Sequence, residues 1–293
     1  MGSSKSVRFS LGIVLGLLLS TSAQASNYST TVNSYGADLL SYWQFNGAIT
    51  NGGTATDSTG QRNGTYNTGS VGVGPGIPLA GFGMNQSLQI TAGGSMTGSA
   101  DGVSNDLPAG NDARTYTAWI KTSNDNSTYR DIFYYGSSGT GNAIFTLVPG
   151  AGADGGFVAN AFGVSTYVPD ISGNSVINDG TWHMVAFTET PTTANFASFS
   201  VYVDGVLENT ATIQSNTAAH TTFQMGGDPF GGGDPYTGLL AQVAVFNSAL
   251  SGANITALYN AALVPEPASL TLAGLGLVGL LFVARGRRGH RVS

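Results

Sequence analysis

The segment 226–238, GGDPFGGGDPYTG, holds the residues whose types are best suited to binding chemistry. Its two Gly-Asp-Pro-aromatic units place Asp228 near Phe230 and Asp234 near Tyr236. An aromatic ring can stack on the apolar face of a sugar, while a carboxylate accepts hydrogen bonds from the sugar hydroxyls. These four residues are the predicted ligand-binding set. Since Asp-Pro is also ordinary turn chemistry, a purely structural loop is the alternative.

The acidic residues of this segment also suit a calcium ion. Calcium takes about six to eight oxygen ligands, and glycine-rich loops can arrange carboxylates and carbonyls around it without steric conflict. Asp228 and Asp234 are therefore candidate calcium ligands, with turn chemistry again as the competing interpretation.

The residues needed for the common hydrolytic mechanisms are not placed for catalysis. Glycoside hydrolysis needs two carboxylates across the scissile bond. Between residues 26 and 264 the only glutamates are Glu189 and Glu208, which we expect to be solvated carboxylates at strand ends. His183 and His220 are the only histidines there, the chain has no cysteine, and no Gly-x-Ser-x-Gly motif occurs. The sequence predicts a protein that is not an enzyme.

Charge excludes one class of partner. Residues 26–264 contain four basic residues against fifteen acidic ones, a net charge of −11. Nucleic-acid phosphates require clustered lysine and arginine, so we expect no nucleic-acid partner. Charged residues make up only 9% of the chain and glycine accounts for 43 residues. That composition is typical of many short strands joined by glycine-rich turns.

The two ends of the chain carry export signals. Residues 1–25 have a basic start, an apolar run and a small-x-small site at Ala23 and Ala25, which predicts a signal peptide cut by signal peptidase. Near the other end, Pro265-Glu266-Pro267 precedes an uncharged stretch, residues 268–284, just long enough to span a thin bilayer. The basic cluster that follows would hold its end in the cytoplasm, leaving the body exported; it consists of Arg285, Arg287 and Arg288.

We expect β-strands to position the candidate site residues. Segments 182–188 and 199–203 are apolar-rich, with side chains that alternate inward and outward, which predicts two antiparallel strands joined by a polar turn that contains Pro191 and Asn195. Asp204-Gly205 favours a tight turn into a return strand at residue 206. Near the end of the body, Ser251 is a predicted N-cap of a short helix.

This hairpin resembles a known family. Asp179-Gly180-x-Trp182-His183-x-Val185-Ala186, followed by a strand ending at Asp204-Gly205, is similar to the central hairpin of laminin-G-like domains. Segment 39–45, the Asp57-Ser58-x-Gly60 loop and segment 238–263 resemble further parts of such domains. The resemblance implies an all-β jelly-roll β-sandwich of the concanavalin A-like/laminin-G-like type. One short C-terminal helix would precede the tail-anchor helix.

The family also implies a calcium position. In related domains the ion lies near the aspartate that corresponds to Asp57 and near acids of an Ile-Asp-Glu-Val pattern. This chain instead reads Leu240-Ala241-Gln242-Val243 at the second position, so both of those acids are absent. The glucanase branch carries its carboxylates as Glu-x-Asp-x-x-Glu, and nothing in the chain matches that pattern.

The C-terminus resembles the PEP-CTERM sorting signal of Gram-negative bacteria that make extracellular polysaccharide. The resemblance implies that an exosortase-type enzyme recognises Pro265, Glu266 and Pro267 and removes the tail after transient anchoring in the inner membrane. A permanent anchor is the alternative.

Four parts are therefore predicted: a signal peptide (1–25), a polar lead-in (26–38), the laminin-G-like domain (39–263) and the sorting signal (264–293). The predicted function is a non-catalytic carbohydrate- or protein-binding module, associated with extracellular polysaccharide in the cell envelope or matrix. A purely structural surface protein and a divergent polysaccharide-active enzyme are the alternatives.

Overall fold

The computed structural model describes residues 27–67, 70–83, 85–91, 93–102, 106–123, 130–136, 142–147, 157–161, 171–219, 221–229 and 235–264. Within these ranges the chain forms strands and two α-helices. The helices are α1 (Asn27–Asn33) and α2 (Gly252–Leu263), with 3-10 turns at Gly36–Asp38 and Ala80–Phe82. The strands are β1 (Leu39–Trp43), β2 (Thr54–Ala55), β3 (Gly64–Tyr66), β4 (Ser70–Pro75), β5 (Gln86–Thr91), β6 (Met96–Ser99), β7 (Arg114–Lys121), β8 (Arg130–Gly136), β9 (Asn142–Leu147), β10 (Phe157–Ala161), β11 (Ile171–Ser172), β12 (His183–Thr193), β13 (Phe196–Val203), β14 (Val206–Gln214), β15 (Thr222–Met225) and β16 (Gly238–Phe246).

The strands form two antiparallel sheets that face each other. Sheet A has the order β14-β13-β12-β7-β16-β5-β4, with β1 also paired to β16, and sheet B has the order β11-β10-β9-β8-β15-β6-β3-β2. Their inner faces share one apolar core, in which the Trp43 ring lies 5.0 Å from Phe223 and the Tyr116 ring 4.8 Å from Phe187. The predicted β-sandwich is confirmed.

The central hairpin forms as the sequence predicts, with longer strands. Val185 pairs with Val203, and Asp204 and Gly205 take positive φ values of 50° and 77° in the turn into β14. The predicted polar turn is shorter than expected, since Pro191 lies within β12 and pairs with Ala197. Pairing of β12 with β7 ends at Glu189, so the missing N–H of Pro191 faces no strand on that side.

The predicted lead-in over residues 26–38 begins with helix α1. Tyr28 and Val32 are spaced four residues apart, so they lie on one helix face, and both are fully buried on the outer face of sheet A. The Tyr28 ring lies 4.8 Å from Phe82 and 6.1 Å from Trp119. These two anchors make α1 part of the packed domain.

Helix α2 covers the same outer face of sheet A. Its predicted N-cap is confirmed, because Oγ of Ser251 accepts a hydrogen bond from the backbone N–H of Asn254 at 3.2 Å. Ile255 and Leu258 are buried against the sheet. No helix in the described ranges is long and apolar enough to cross a membrane. The signal segment and the tail with its predicted anchor, residues 268–284, lie outside those ranges.

Candidate ligand-binding surfaces

The predicted binding loop crosses from sheet B to sheet A at one end of the sandwich, because it follows β15 and leads into β16. Asp228 is half-buried, while Phe230 and Asp234 lie outside the described residues. Tyr236 is 0% exposed, and its hydroxyl donates to the backbone oxygen of Leu239 at 2.9 Å. A ring without an exposed face cannot stack on a sugar, so this placement argues against the binding role predicted for Tyr236.

An open groove of about 380 Å³ lies beside this loop on the outer face of sheet A. Gln89, Lys121 and Leu239 occupy adjacent strands on its floor, where Leu239 pairs with both of the others. Thr91, Thr122, Ser123 and Thr237 add hydroxyl groups to its walls. The described lining includes one cation and no aromatic ring, so this groove offers hydrogen bonds without a stacking surface.

Asp57 is a structural residue of the Asp-Ser-x-Gly loop. Its side chain is 2% exposed and accepts four hydrogen bonds at 2.8 to 3.0 Å. The donors are the backbone N–H groups of Tyr42, Thr59 and Arg62 and the hydroxyl of Thr59. A carboxylate has about four lone-pair directions, and all are occupied by the protein itself. Asp57 does not fit the calcium ligand role that the resemblance implies.

The second calcium position of the family fits no better. Gln242 takes a positive φ of 55° where β16 bulges, and its buried side chain accepts a hydrogen bond from the hydroxyl of Tyr42. Ala241 is buried beneath the helices. Among the described residues no group of three or more His, Cys, Asp or Glu is arranged to hold a metal ion. A calcium role for Asp228 with Asp234 stays a prediction.

Glu189 is buried, which corrects the expectation of a solvated carboxylate. It is 1% exposed, because β12 continues past the predicted strand end and places Glu189 directly opposite Arg114 of β7. The two side chains form an ion pair at 2.9 Å, and Ser215 donates a hydrogen bond to Glu189 at 2.5 Å. Burial raises the pKa of Glu189, and Arg114 works against that rise.

Glu208 is also engaged in structural contacts. It accepts a hydrogen bond from the Ser175 hydroxyl at 2.7 Å and another from the backbone N–H of Asn174 at 3.0 Å. These bonds tie β14 to the segment that follows β11. Each glutamate of the described domain therefore has its own protein partners, and no contact joins the two.

His183 belongs to a small polar cluster at the turn of the central hairpin. Its Nδ1 lies 2.8 Å from Oδ2 of Asp204, while its Nε2 lies 3.0 Å from Oγ1 of Thr181 and 3.3 Å from Oδ1 of Asp179. The hydrogen bond with Asp204 raises the pKa of His183 above its usual range, although partial burial opposes the rise. The cluster positions the turn, since Asp204 also accepts from the backbone N–H of Met184.

The His183–Asp204 pair makes stability depend on pH. Because the folded-state pKa of His183 is raised, its contribution is complete below the unfolded value of about 6.5 and is lost as pH rises through the folded value. We expect Asp204→Asn, which suits the positive φ, to cost about 0.5–1 kcal/mol more at pH 5.5 than at pH 8.5. Urea unfolding at both pH values measures this. Equal costs at the two pH values would contradict this expectation. His183→Gln, which removes the imidazole, is the matched control.

The outer face of sheet B carries a row of uncharged polar side chains, which we call the hydroxyl face. Cross-strand pairing joins Thr54 to Thr65, Thr65 to Thr97, and Thr97 to Gln224. Partners directly opposite each other in antiparallel strands point to the same face. Thr54 and Thr65 are exposed and the other two half-exposed, whereas the intervening residues Tyr66, Met96, Phe223 and Met225 point into the core.

Neighbouring positions extend the hydroxyl face with the same chemistry. Ser99 pairs with Thr222, and both are exposed. Asn67 donates to the Thr97 hydroxyl at 2.9 Å and to the Ser95 hydroxyl at 3.3 Å. This surface was not predicted from the sequence, because its residues come from four short strands that are far apart along the chain. The alternation of polar and apolar residues over 222–225 predicts one strand with a polar face. The row formed with the neighbouring strands can be seen only from the strand pairing.

Several known structures are similar to this chain. Domain 4 of AbnA, a GH43 extracellular arabinanase from Geobacillus stearothermophilus solved in complex with arabinotriose, matches with a TM-score of 0.50 and 20% identity over 76% of this chain and 98% of that chain. The binding domain of Paraclostridial Mosquitocidal Protein 1 matches with a TM-score of 0.56 and 13% identity over 76% and 52%. The receptor binding domain of botulinum neurotoxin type G matches with a TM-score of 0.54 and 14% identity over 76% and 51%. At these identities the likeness establishes the fold.

Sequence comparison covers most of the domain and the tail. Curated protein sequences include no significant match to the chain. A family model, the concanavalin A-like lectin/glucanases superfamily, matches residues 94–256, more than half of the chain. A second, the PEP-CTERM protein-sorting motif, matches residues 263–288 and marks an exported protein that is processed at its C-terminus in a Gram-negative envelope. The chain belongs to the concanavalin A-like lectin/glucanases superfamily and carries a PEP-CTERM sorting motif.

Proposed function

We propose that this protein is an exported, non-catalytic glycan-binding module and that the hydroxyl face of sheet B is its contact surface. The observation that carries the proposal is the row of Thr54, Thr65, Thr97 and Gln224 in direct cross-strand register. Neighbouring strands lie about 4.8 Å apart, so these four positions cover roughly 14 Å of surface. A ligand on this row meets several hydrogen-bonding groups at once.

The chemistry of the face favours a neutral carbohydrate. A threonine hydroxyl both donates and accepts hydrogen bonds, and a glutamine amide does the same with separate atoms, which complements a ligand covered in hydroxyl groups. The row contains no charged side chain, and the body around it carries a net charge of −11. An anionic polymer would be repelled by this field, whereas a neutral glycan would not.

The non-catalytic part of the proposal is supported by the state of the carboxylates. Glu189 is paired with Arg114 inside the protein, Glu208 accepts hydrogen bonds from the segment that follows β11, and Asp57 accepts four internal hydrogen bonds.

The arabinotriose complex of AbnA domain 4 shows that a domain of this fold can hold an oligosaccharide. The sorting motif supports processing by an exosortase-type enzyme. A final location in the extracellular polysaccharide matrix is part of the proposal.

A binding experiment tests this proposal. Neutral and uronic acid-containing oligosaccharides are titrated calorimetrically into the processed domain, residues 26–264. For a neutral ligand that binds, the double variant Thr65→Ala with Thr97→Ala should weaken binding about tenfold or more, at about 1 kcal/mol for each lost hydrogen bond. Affinity should change little between low and high salt, since no ion pair contributes.

The matched control is Thr212→Ala, which removes an exposed threonine from β14 of sheet A. It should leave both affinity and stability unchanged. Equal effects of the control and the double variant would contradict the assignment of the hydroxyl face. Absence of binding by every glycan in a broad array would favour a purely structural surface protein instead.

A further inference from the structure

The two ends of the folded domain lie side by side. Nδ2 of Asn27, at the start of α1, donates to the backbone oxygen of Ala261 at 3.2 Å and lies 3.5 Å from the backbone oxygen of Val264, just beyond α2. The predicted signal-peptide cleavage after Ala25 and the sorting motif at Pro265 are therefore attached to the same side of the molecule. That side is the helical layer, formed by α1 and α2 on the outer face of sheet A.

The helical layer is uncharged in an acidic protein. Neither α1, with the sequence NYSTTVN, nor α2, with the sequence GANITALYNAAL, contains a charged residue. The body as a whole carries a net charge of −11. Anionic lipid headgroups repel an acidic surface over about a Debye length, so these two helices would meet less repulsion at a membrane than the acidic body as a whole.

The sorting tail limits how far the layer can be from a membrane. Only Pro265, Glu266 and Pro267 separate Val264 from the uncharged stretch that starts at Ala268. Four fully extended residues span at most about 14 Å. While the tail is anchored, the end of α2 must therefore stay close to the lipid headgroups. Leu263 and Val264, at that end, are 45% and 50% exposed.

We propose that the helical layer rests against the bilayer that holds the tail, with the hydroxyl face of sheet B directed away from it. Leu263 and Val264 would enter the headgroup region, where partial burial of apolar side chains is favourable. In this orientation the surface for ligands is accessible before the tail is removed. The proposal rests on the tail and the helical layer, and it does not require the hydroxyl face to bind a glycan.

The chain's lack of cysteine permits a direct test. Single variants Ala257→Cys, exposed on α2, and Thr65→Cys, on the hydroxyl face, are labelled with a fluorophore in the exported chain, residues 26–293. Each is inserted through its tail into phosphatidylethanolamine and phosphatidylglycerol vesicles that contain a headgroup nitroxide quencher. The label at residue 257 should be quenched about threefold or more strongly, since one helix layer and two sheets separate the sites by roughly 20 Å.

Two results would contradict this proposal, one the orientation and the other the role of the tail. One is equal quenching at the two sites, or stronger quenching at residue 65, because the layer would then not face the lipid. The other is quenching at residue 257 that persists in a chain ending at Val264, because contact would then be independent of the tail. Far-UV circular dichroism of both labelled variants ensures that they share the same fold.

Discussion

Replacing Glu189 by alanine should lower the free energy of unfolding by about 3–5 kcal/mol, because the change leaves a charged guanidinium without its partner inside the sandwich. Arg114 is 0% exposed, and its Nε lies 2.9 Å from Oε2 of Glu189. Burial alone lowers the pKa of Arg114, but Tyr135 and Glu189 more than offset this and raise it. Arginine is not deprotonated in proteins, so the guanidinium stays charged in the variant even without Glu189.

The remaining contacts of Arg114 cannot replace the carboxylate. The guanidinium donates to the backbone oxygens of Pro108 at 3.0 Å and Gly110 at 2.9 Å, and to the Tyr135 hydroxyl at 2.6 Å. These neutral acceptors hold the group in place without neutralising its charge. Ser215 also loses its acceptor on Glu189. Glu189→Gln keeps that oxygen and should cost less than Glu189→Ala.

Urea unfolding at pH 7 measures the effect, with an unchanged m-value as evidence that the same surface unfolds. Glu208→Ala is the matched control, because it removes a partly exposed glutamate with two hydrogen bonds and should cost about 1–2 kcal/mol. A cost below about 1 kcal/mol for Glu189→Ala would show that the ion pair contributes little.

Asp57→Ala is the second variant with a large expected effect, about 3 kcal/mol or more. It removes the acceptor of the backbone N–H groups of Tyr42, Thr59 and Arg62 from a site that is 2% exposed. Each buried donor left without a partner costs about 1–3 kcal/mol. Arg62, itself 1% exposed, holds the same loop to the sandwich through the backbone oxygens of Leu40 and Ala100.

A second variant at this position, Asp57→Asn, distinguishes a structural aspartate from a calcium ligand. Melting temperatures of the wild type and Asp57→Asn are compared with calcium and with chelator. An ion that binds only the folded state must stabilise it. If calcium raises the melting temperature of the wild type, we expect the same rise in Asp57→Asn. A rise in the wild type that is absent from Asp57→Asn would contradict the structural assignment of Asp57. Asp101→Ala, an exposed control, should change stability by about 0.5 kcal/mol or less.

Local features of the fold could be predicted because they depend on neighbouring residues. Alternation along segments 182–188 and 199–203 shows which side chains share a face, and Asp204-Gly205 accepts positive φ, so the central hairpin forms as expected. Ser251 caps its helix through a bond that spans three residues. The sorting motif was recognisable in the same way, since its order of Pro-Glu-Pro, apolar stretch and arginines is linear.

The candidate site was less predictable, because it depends on which face is covered and which strand lies opposite. Tyr236 follows a glycine-rich stretch that suggests exposure, yet its ring is fully buried in the core. The sequence pattern predicts Glu189 at a solvated strand end, whereas pairing of β12 with β7 places Arg114 directly opposite it. Helix α1 has too few residues for a clear periodic pattern. Its two buried residues, Tyr28 and Val32, can be recognised as core residues only from their packing on sheet A.

An exported β-sandwich with a processed tail could be predicted from the amino-acid sequence alone, because turns, alternation and linear motifs are encoded within short stretches. The surface that we propose for ligand binding, in contrast, is visible only in the tertiary structure. Thr54, Thr65, Thr97 and Gln224 are up to 170 residues apart along the chain and form one row through strand register alone. Register is set by packing of the opposite faces into the common core, which no local pattern contains.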